Sequence, residues 1–159
     1  ALPLSHEFDS LQIAYNDAVS KKPEMQEKRM EIISRHISRI EIQQRLAFMY
    51  SLYNYTDIDK IQLTYPENYA DAQIALFRGL SYDYKKYDIN FYPYVNKVKT
   101  PALVIHGRAD GLSLKASEML QKSLGNAQLV IFDKSGHFPF MEEPEKFAQT
   151  VNVFVAKQK

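Results

Sequence analysis

The sequence predicts an α/β fold in which a helix-rich first part is followed by a few parallel strands. Two observations carry that expectation. Ahead of Pro101 the apolar residues recur at helical spacing. Beyond it, short apolar runs alternate with amphipathic stretches in the order strand, helix, strand, helix, which requires crossover connections and so parallel strands. The composition agrees with an ordinary globular chain able to bury a core, with 45% hydrophobic and 25% charged residues among 159.

In chain order, residues 4–19 read as a first helix with Asp9 or Ser10 as its cap. Lys21, Lys22 and Pro23 punctuate it, and Pro23 suits the first turn of the next helix. One long helix is then expected over residues 24–53. Ile33, Ile37, Ile40, Leu46 and Met49 lie at helical spacing, and Glu27, Lys28, Arg35 and Arg39 are placed towards water or a partner. Tyr65 and Pro66 break the pattern. It resumes over residues 66–80, with Ala70, Ile74, Phe77 and Leu80 on one stripe and Gly79 close to the end. Residues 82–94 are crowded with tyrosines and read as irregular or a short helix, the rings packing and their hydroxyls reaching water.

After Pro101, residues 102–106 and 128–132 are expected as buried strands. Residues 114–124 form the helix between them, with Met119, Leu120 and Leu124 as apolar contacts and Gly125 and Asn126 as its stop. Residues 133–143 are a loop. Pro144 opens a last helix through Ala156, with Phe147, Val151, Phe154 and Val155 towards the sheet.

Several function classes are excluded at this level. A net charge of +1, from 20 basic and 19 acidic residues, gives no electrostatic case for nucleic acid or for an anionic membrane surface. Cysteine is absent, which rules out disulfides and thiolate metal sites and fits a cytoplasmic location or a periplasmic one, the first being the expectation. No apolar run is long enough to span a bilayer, and no signal-peptide pattern is visible. The first residue is Ala1 rather than methionine, so an upstream segment removed by processing, proteolysis or design is expected.

Two residues carry chemistry as a pair. Asp110 follows the first strand in His106-Gly-Arg-Ala-Asp110-Gly111, and His137 follows the second in Lys134-Ser-Gly-His137-Phe138. Ligands and catalysis collect at that end of strands in open α/β sheets. Neighbouring strands lie roughly 5 Å apart, so a carboxylate after one can meet an imidazole after the other. The carboxylate would fix the tautomer, leaving the second ring nitrogen to take a proton from a nucleophile. Alone, Asp110 would read as a turn former or helix cap and His137 as a surface residue; their pairing favours the catalytic reading. Gly107, Gly111 and Gly136 would let the two loops turn sharply. His106, at an apolar strand end, reads as a satisfied core histidine, and His6 and His36 as surface residues.

The segment Val98-Lys-Thr-Pro-Ala-Leu-Val-Ile-His-Gly-Arg-Ala-Asp110 resembles the penultimate-strand signature of the α/β-hydrolase superfamily. Lys134-Ser-Gly-His137-Phe-Pro-Phe-Met-Glu-Glu-Pro-Glu-Lys-Phe147 resembles the superfamily's histidine loop and final helix. The order, acid before histidine, is the family order. The resemblance implies that this chain is the carboxy-terminal portion of such a fold, with a helical cap over residues 1–92 and a core segment over residues 93–159. It also implies that Asp110 and His137 are the catalytic acid and base. The general look of the last segment is similar to proline iminopeptidase-like peptidases. An esterase, an epoxide hydrolase or a non-catalytic binding protein that kept the scaffold are the other readings. The superfamily's Gly-x-Ser-x-Gly nucleophile turn is absent; Ser113 follows Gly111 but comes after the acid. The nucleophile is therefore expected upstream of Ala1, and this chain alone is expected to be inactive. No cofactor is implied, and no metal cluster, phosphate-cradling glycine loop or basic stripe is present. The expected partners are a small-molecule or peptide substrate in the intact enzyme, and either the missing amino-terminal part or a second copy of the chain.

Overall fold

The computed structural model describes residues 5–49 and 69–158. They fall into two compact units, residues 5–49 with 69–90 and residues 91–158.

The first unit is helical. Helix α1 (His6–Ser20) is capped by Ser5, whose Oγ accepts the Phe8 amide at 3.2 Å. The cap is therefore Ser5 rather than Asp9 or Ser10: both of these lie inside the helix, where Asp9 Oδ1 accepts from the Ser81 hydroxyl at 3.1 Å. Pro23 opens α2 (Pro23–Ile33), as the sequence predicts. The single long helix over residues 24–53 does not form. Ile33 ends α2, residues 34–38 turn, and α3 (Arg39–Met49) starts afresh. The cause is a reciprocal cap: Ser38 Oγ accepts the Glu41 amide at 3.2 Å, and Glu41 Oε2 accepts the Ser38 amide at 3.2 Å. The break resets the helical phase. Met25, Lys28 and Ile32 become the buried face of α2, while Ile33 and Ile40 are exposed. Lys28, expected towards water or a partner, is buried and paired with Glu31 at 2.7 Å. Residues 50–53, the Tyr65–Pro66 break and residues 66–68 lie outside the described residues.

Helix α4 (Tyr69–Lys86) runs past Gly79 and Leu80 to Lys86. A side chain at Gly79 would meet open space, so this glycine imposes no stop. The stop comes at Asp88, which takes the left-handed conformation (φ 46°) while the Ile89 amide donates to the Tyr84 carbonyl at 3.1 Å. Residues 82–94 are thus more regular than expected. Tyr82, Tyr84 and Lys86 belong to α4, Tyr84 is buried, and Tyr82, Tyr87 and Tyr94 stand in solvent. The His6 amide donates to the Ile89 carbonyl at 3.0 Å, closing the unit on itself.

In the second unit, α5 (Tyr92–Val95) leads to β1 (Ala102–Gly107), α6 (Leu114–Ser123), β2 (Ala127–Phe132), the one-turn α7 (Pro139–Glu142) and α8 (Pro144–Ala156). Strands β1 and β2 are parallel and in register from Ala102 opposite Ala127 to Gly107 opposite Phe132. The sequence places these elements within a residue or so, apart from α7, which falls in the expected loop. The strands are less covered than expected: Leu103, Val104, Ile105, Leu129, Val130 and Ile131 are only half-buried, and Phe132 is the fully enclosed apolar side chain of the pair. On α8, Phe147 packs against Phe132 with ring centroids 6.4 Å apart, but Val155, expected towards the sheet, is exposed, as is Val153. Among the described residues, no helix is long and apolar enough to cross a membrane.

Candidate active site

The shared carboxyl end of β1 and β2 is held by backbone bonds before any side chain contributes. The Arg108 amide donates to the Phe132 carbonyl at 2.8 Å, and the Ala109 amide to the Ser135 carbonyl at 3.1 Å. A Cβ built on Gly107 would collide with the carbonyl oxygens of Gly136 and Ser135. No glycine among the described residues has a positive φ, so Gly107 is needed for close approach and not for the sharp turn expected of it. Across the outer rim, Arg108 Nε donates to Asp133 Oδ1 at 2.6 Å, and that guanidinium holds the Asp133 carboxyl below its usual range.

This scaffold brings Asp110 and His137 together. His137 Nδ1 lies 3.0 Å from both Oδ1 and Oδ2 of Asp110. Asp110 is buried at 6% exposure, and its Oδ1 also accepts the Leu112 amide at 2.8 Å. The turn-forming role and the histidine contact thus coexist in one carboxylate, and the cap position of α6 falls to Ser113. A buried carboxylate acting only as acceptor selects the tautomer of His137 with the proton on Nδ1. The His137 side chain remains 38% exposed. Its ring meets Phe138 edge to face at 5.2 Å, and edge-on contacts continue through Phe140 to Phe147.

His106 takes no part in the pair. It is buried, and its Nδ1 lies 2.9 Å from Ser117 Oγ, which matches the core role expected of it. Burial pushes its pKa down, against the opposing pull of the Asp110 charge. His36 is exposed as expected, whereas His6 is half-buried at the start of α1. Among the described residues, no group of three or more His, Asp or Glu side chains could hold a metal ion.

Ser135, Glu142 and Glu143, to which the sequence attaches no role, meet at the same loop. Glu143 Oε2 accepts the Ser135 hydroxyl at 2.8 Å and the Lys134 amide at 3.0 Å. Glu142 Oε2 accepts the Gly136 amide at 2.8 Å. Burial works to raise the Glu143 pKa, but the Ser135 hydroxyl, the Lys134 amide and Lys146 together hold it below its ordinary value. The two carboxylates are visible in the sequence. That they bend back over the loop depends on the one-turn helix α7, too short to leave a periodic signal.

With strand order, acid and histidine in place, comparison with known families is decisive. A sequence profile of the α/β hydrolase fold matches residues 27–144. The chain belongs to the α/β hydrolase fold family. Among curated hydrolases, it is similar to pimeloyl-[acyl-carrier protein] methyl ester esterase of Nitrosomonas europaea, 43% identical over 54 residues, or 33% of this chain and 21% of that one. It is also similar to proline iminopeptidase of Saccharolobus solfataricus, 27% identical over 59 residues, or 37% of this chain and 19% of that one. Among solved structures, an α/β fold family hydrolase from Bacillus anthracis str. Sterne superposes with a TM-score of 0.62 at 23% identity, covering 96% of this chain and 55% of that chain. The chain thus spans about a fifth of the curated relatives in the matched regions and about half of that α/β hydrolase structure.

Proposed function

We propose that this chain is the carboxy-terminal catalytic part of a serine-type α/β hydrolase, with His137 as the base and Asp110 as its orienting acid. The observation that carries the reading is the placement of Nδ1 at 3.0 Å from both oxygens of a buried carboxylate. With Nδ1 so occupied, Nε2 is the nitrogen available to chemistry. It would remove the proton of a serine hydroxyl during attack on a carbonyl and return it to the leaving group. Asp110 stabilises the imidazolium formed in between without taking its proton. No cofactor is required for these steps.

The nucleophile is then supplied by polypeptide outside this sequence. Two facts support this: the 159 residues contain no Gly-x-Ser-x-Gly turn, and the chain spans about half of the hydrolase structure it resembles. The substrate class is an ester or a peptide bond, since one acyl-enzyme route serves both. Within it, a peptidase of the proline iminopeptidase type is the narrower reading, supported by the likeness to the Saccharolobus solfataricus protein, with an esterase as the alternative.

The test is a fluorophosphonate probe applied to this chain and to the product of its gene read with the upstream sequence. The longer protein should be labelled at one serine outside these residues, and Asp110→Asn in it should lower kcat about 10⁴-fold. Stoichiometric labelling of a serine in the present chain would refute the division of the site. An unlabelled but active longer protein would point to an aspartate nucleophile and an epoxide substrate. Turnover of amino-terminal proline peptides against methyl esters separates peptidase from esterase.

A further inference from the structure

We propose that Glu142 and Glu143 form an anionic clamp that positions His137, acting through the loop backbone and not through the reacting atoms. The inference rests on the reading of His137 as the base. Three consecutive residues ahead of that histidine each give a hydrogen to the clamp. The Lys134 amide and the Ser135 hydroxyl go to Glu143 Oε2 at 3.0 and 2.8 Å, and the Gly136 amide goes to Glu142 Oε2 at 2.8 Å. Ser135 is fully buried, so its hydroxyl has exchanged water for this carboxylate. Hydrogen bonds to an ionised acceptor are roughly twice as strong as neutral ones.

Geometry says why such a clamp matters here. The ring of His137 is 38% exposed, so packing alone does not set its angle. Its position is inherited from Gly136, whose carbonyl oxygen is seated on the backbone of Gly107. The Gly136 amide is held by Glu142. The loop is fixed between a backbone contact and two carboxylates. Glu143 is itself anchored towards the sheet, for Lys146 Nζ lies 3.5 Å from its Oε1 and 3.3 Å from the Ile131 carbonyl. A displacement of about 1 Å in a catalytic group can cost two orders of magnitude in rate, so a device that holds a half-exposed base has a function beyond stability.

The test follows the imidazole of His137 by proton and nitrogen NMR in the full chain, with far-UV circular dichroism as the check on folding. In the wild type, Nδ1 should carry a proton shifted downfield by Asp110. Glu142→Ala and Glu143→Ala should shift that proton upfield and mix the two tautomers while the circular dichroism stays native. Glu143→Gln, which keeps an acceptor oxygen but not the charge, should fall between wild type and Glu143→Ala. Unchanged His137 signals in folded alanine variants would overturn the clamp. Should those variants fail to fold, amide hydrogen exchange in the wild type decides: Lys134 and Gly136 should be protected, and exchange as fast as at exposed amides would overturn the proposal. A wild-type chain without the downfield proton would instead sink the reading of His137 as base, with amide protection still deciding the clamp.

Discussion

Gly107 and Gly136 touch backbone to backbone, and the candidate site depends on that contact. Any Cβ at Gly107 would overlap the Gly136 carbonyl oxygen. The atom in the way is main chain, so no flexible side-chain tip can move aside. Gly107→Ala should therefore push the histidine loop off the end of β1, lengthening the 3.0 Å contacts from His137 to Asp110. Overpacking of this kind costs about 1–3 kcal/mol. Chemical denaturation should show the loss, and NMR should show the His137 signal moving. A variant as stable as wild type with an unchanged His137 signal would contradict the contact.

Ser38 starts a second helix where the sequence presents only one. Its hydroxyl accepts the Glu41 amide while Glu41 accepts the Ser38 amide. Ser38→Ala should cost about 1 kcal/mol, and Glu41→Ala should act in the same direction through the same box. The double variant should lose less than the sum of the two, because either substitution already opens the box. Strict additivity in urea unfolding would argue against the reciprocal cap.

Both features lay beyond what the sequence made legible. Elements β1, α6, β2 and α8 could be placed because their apolar runs are short, strongly patterned and bounded by proline or glycine. The Asp110 and His137 pair could be placed because each follows a strand in a recognisable segment. Residues 24–53 could not, since the apolar spacing of Ile33, Ile37 and Ile40 continues across the break and hides it; the Ser38 and Glu41 cap emerges only from the structure. The buried Lys28 was missed for the same reason: its pairing with Glu31 follows from the phase that the break resets. Glu142 and Glu143 act through a loop, where side-chain spacing carries no periodic information.

His106 gives a pH dependence of known sign. Burial lowers its folded pKa below the unfolded value of about 6.5. The nearby Asp110 and Glu118 charges favour its protonated form and His137 opposes it, and burial prevails. The unfolded chain therefore binds more protons as the pH falls through this range. The stabilisation is fully present above about pH 6.5 and is lost on acidification towards the folded pKa. Asp133 and Glu143, whose carboxyls are held low, lose their contributions only below about pH 4.5, so the windows separate. Between pH 7 and 5 the melting temperature of the chain should fall, and His106→Gln should flatten that slope. An equal slope in the variant would show that His106 titrates as if exposed.

The parallel sheet is only partly covered. Its inner positions, Leu103, Val104, Ile105, Leu129, Val130 and Ile131, have the composition of strands covered on both faces, yet each is only half-buried. On α7 and α8, Phe140, Met141, Val153 and Val155 are about half exposed as well. Two parallel strands with one crossover seldom stand alone, because the outer backbone edge of each strand and much apolar surface remain open. If the chain is part of a larger hydrolase, the remaining strands cover that surface in the whole protein. The chain on its own should then bind a hydrophobic dye or associate with a second copy, and co-expression with the upstream part of its gene should abolish both. Light scattering on a sizing column, with dye fluorescence read on the same fractions, measures this directly. A dye-free monomer with a cooperative unfolding transition would mean that the half-buried strands suffice, and that the chain is a self-standing domain.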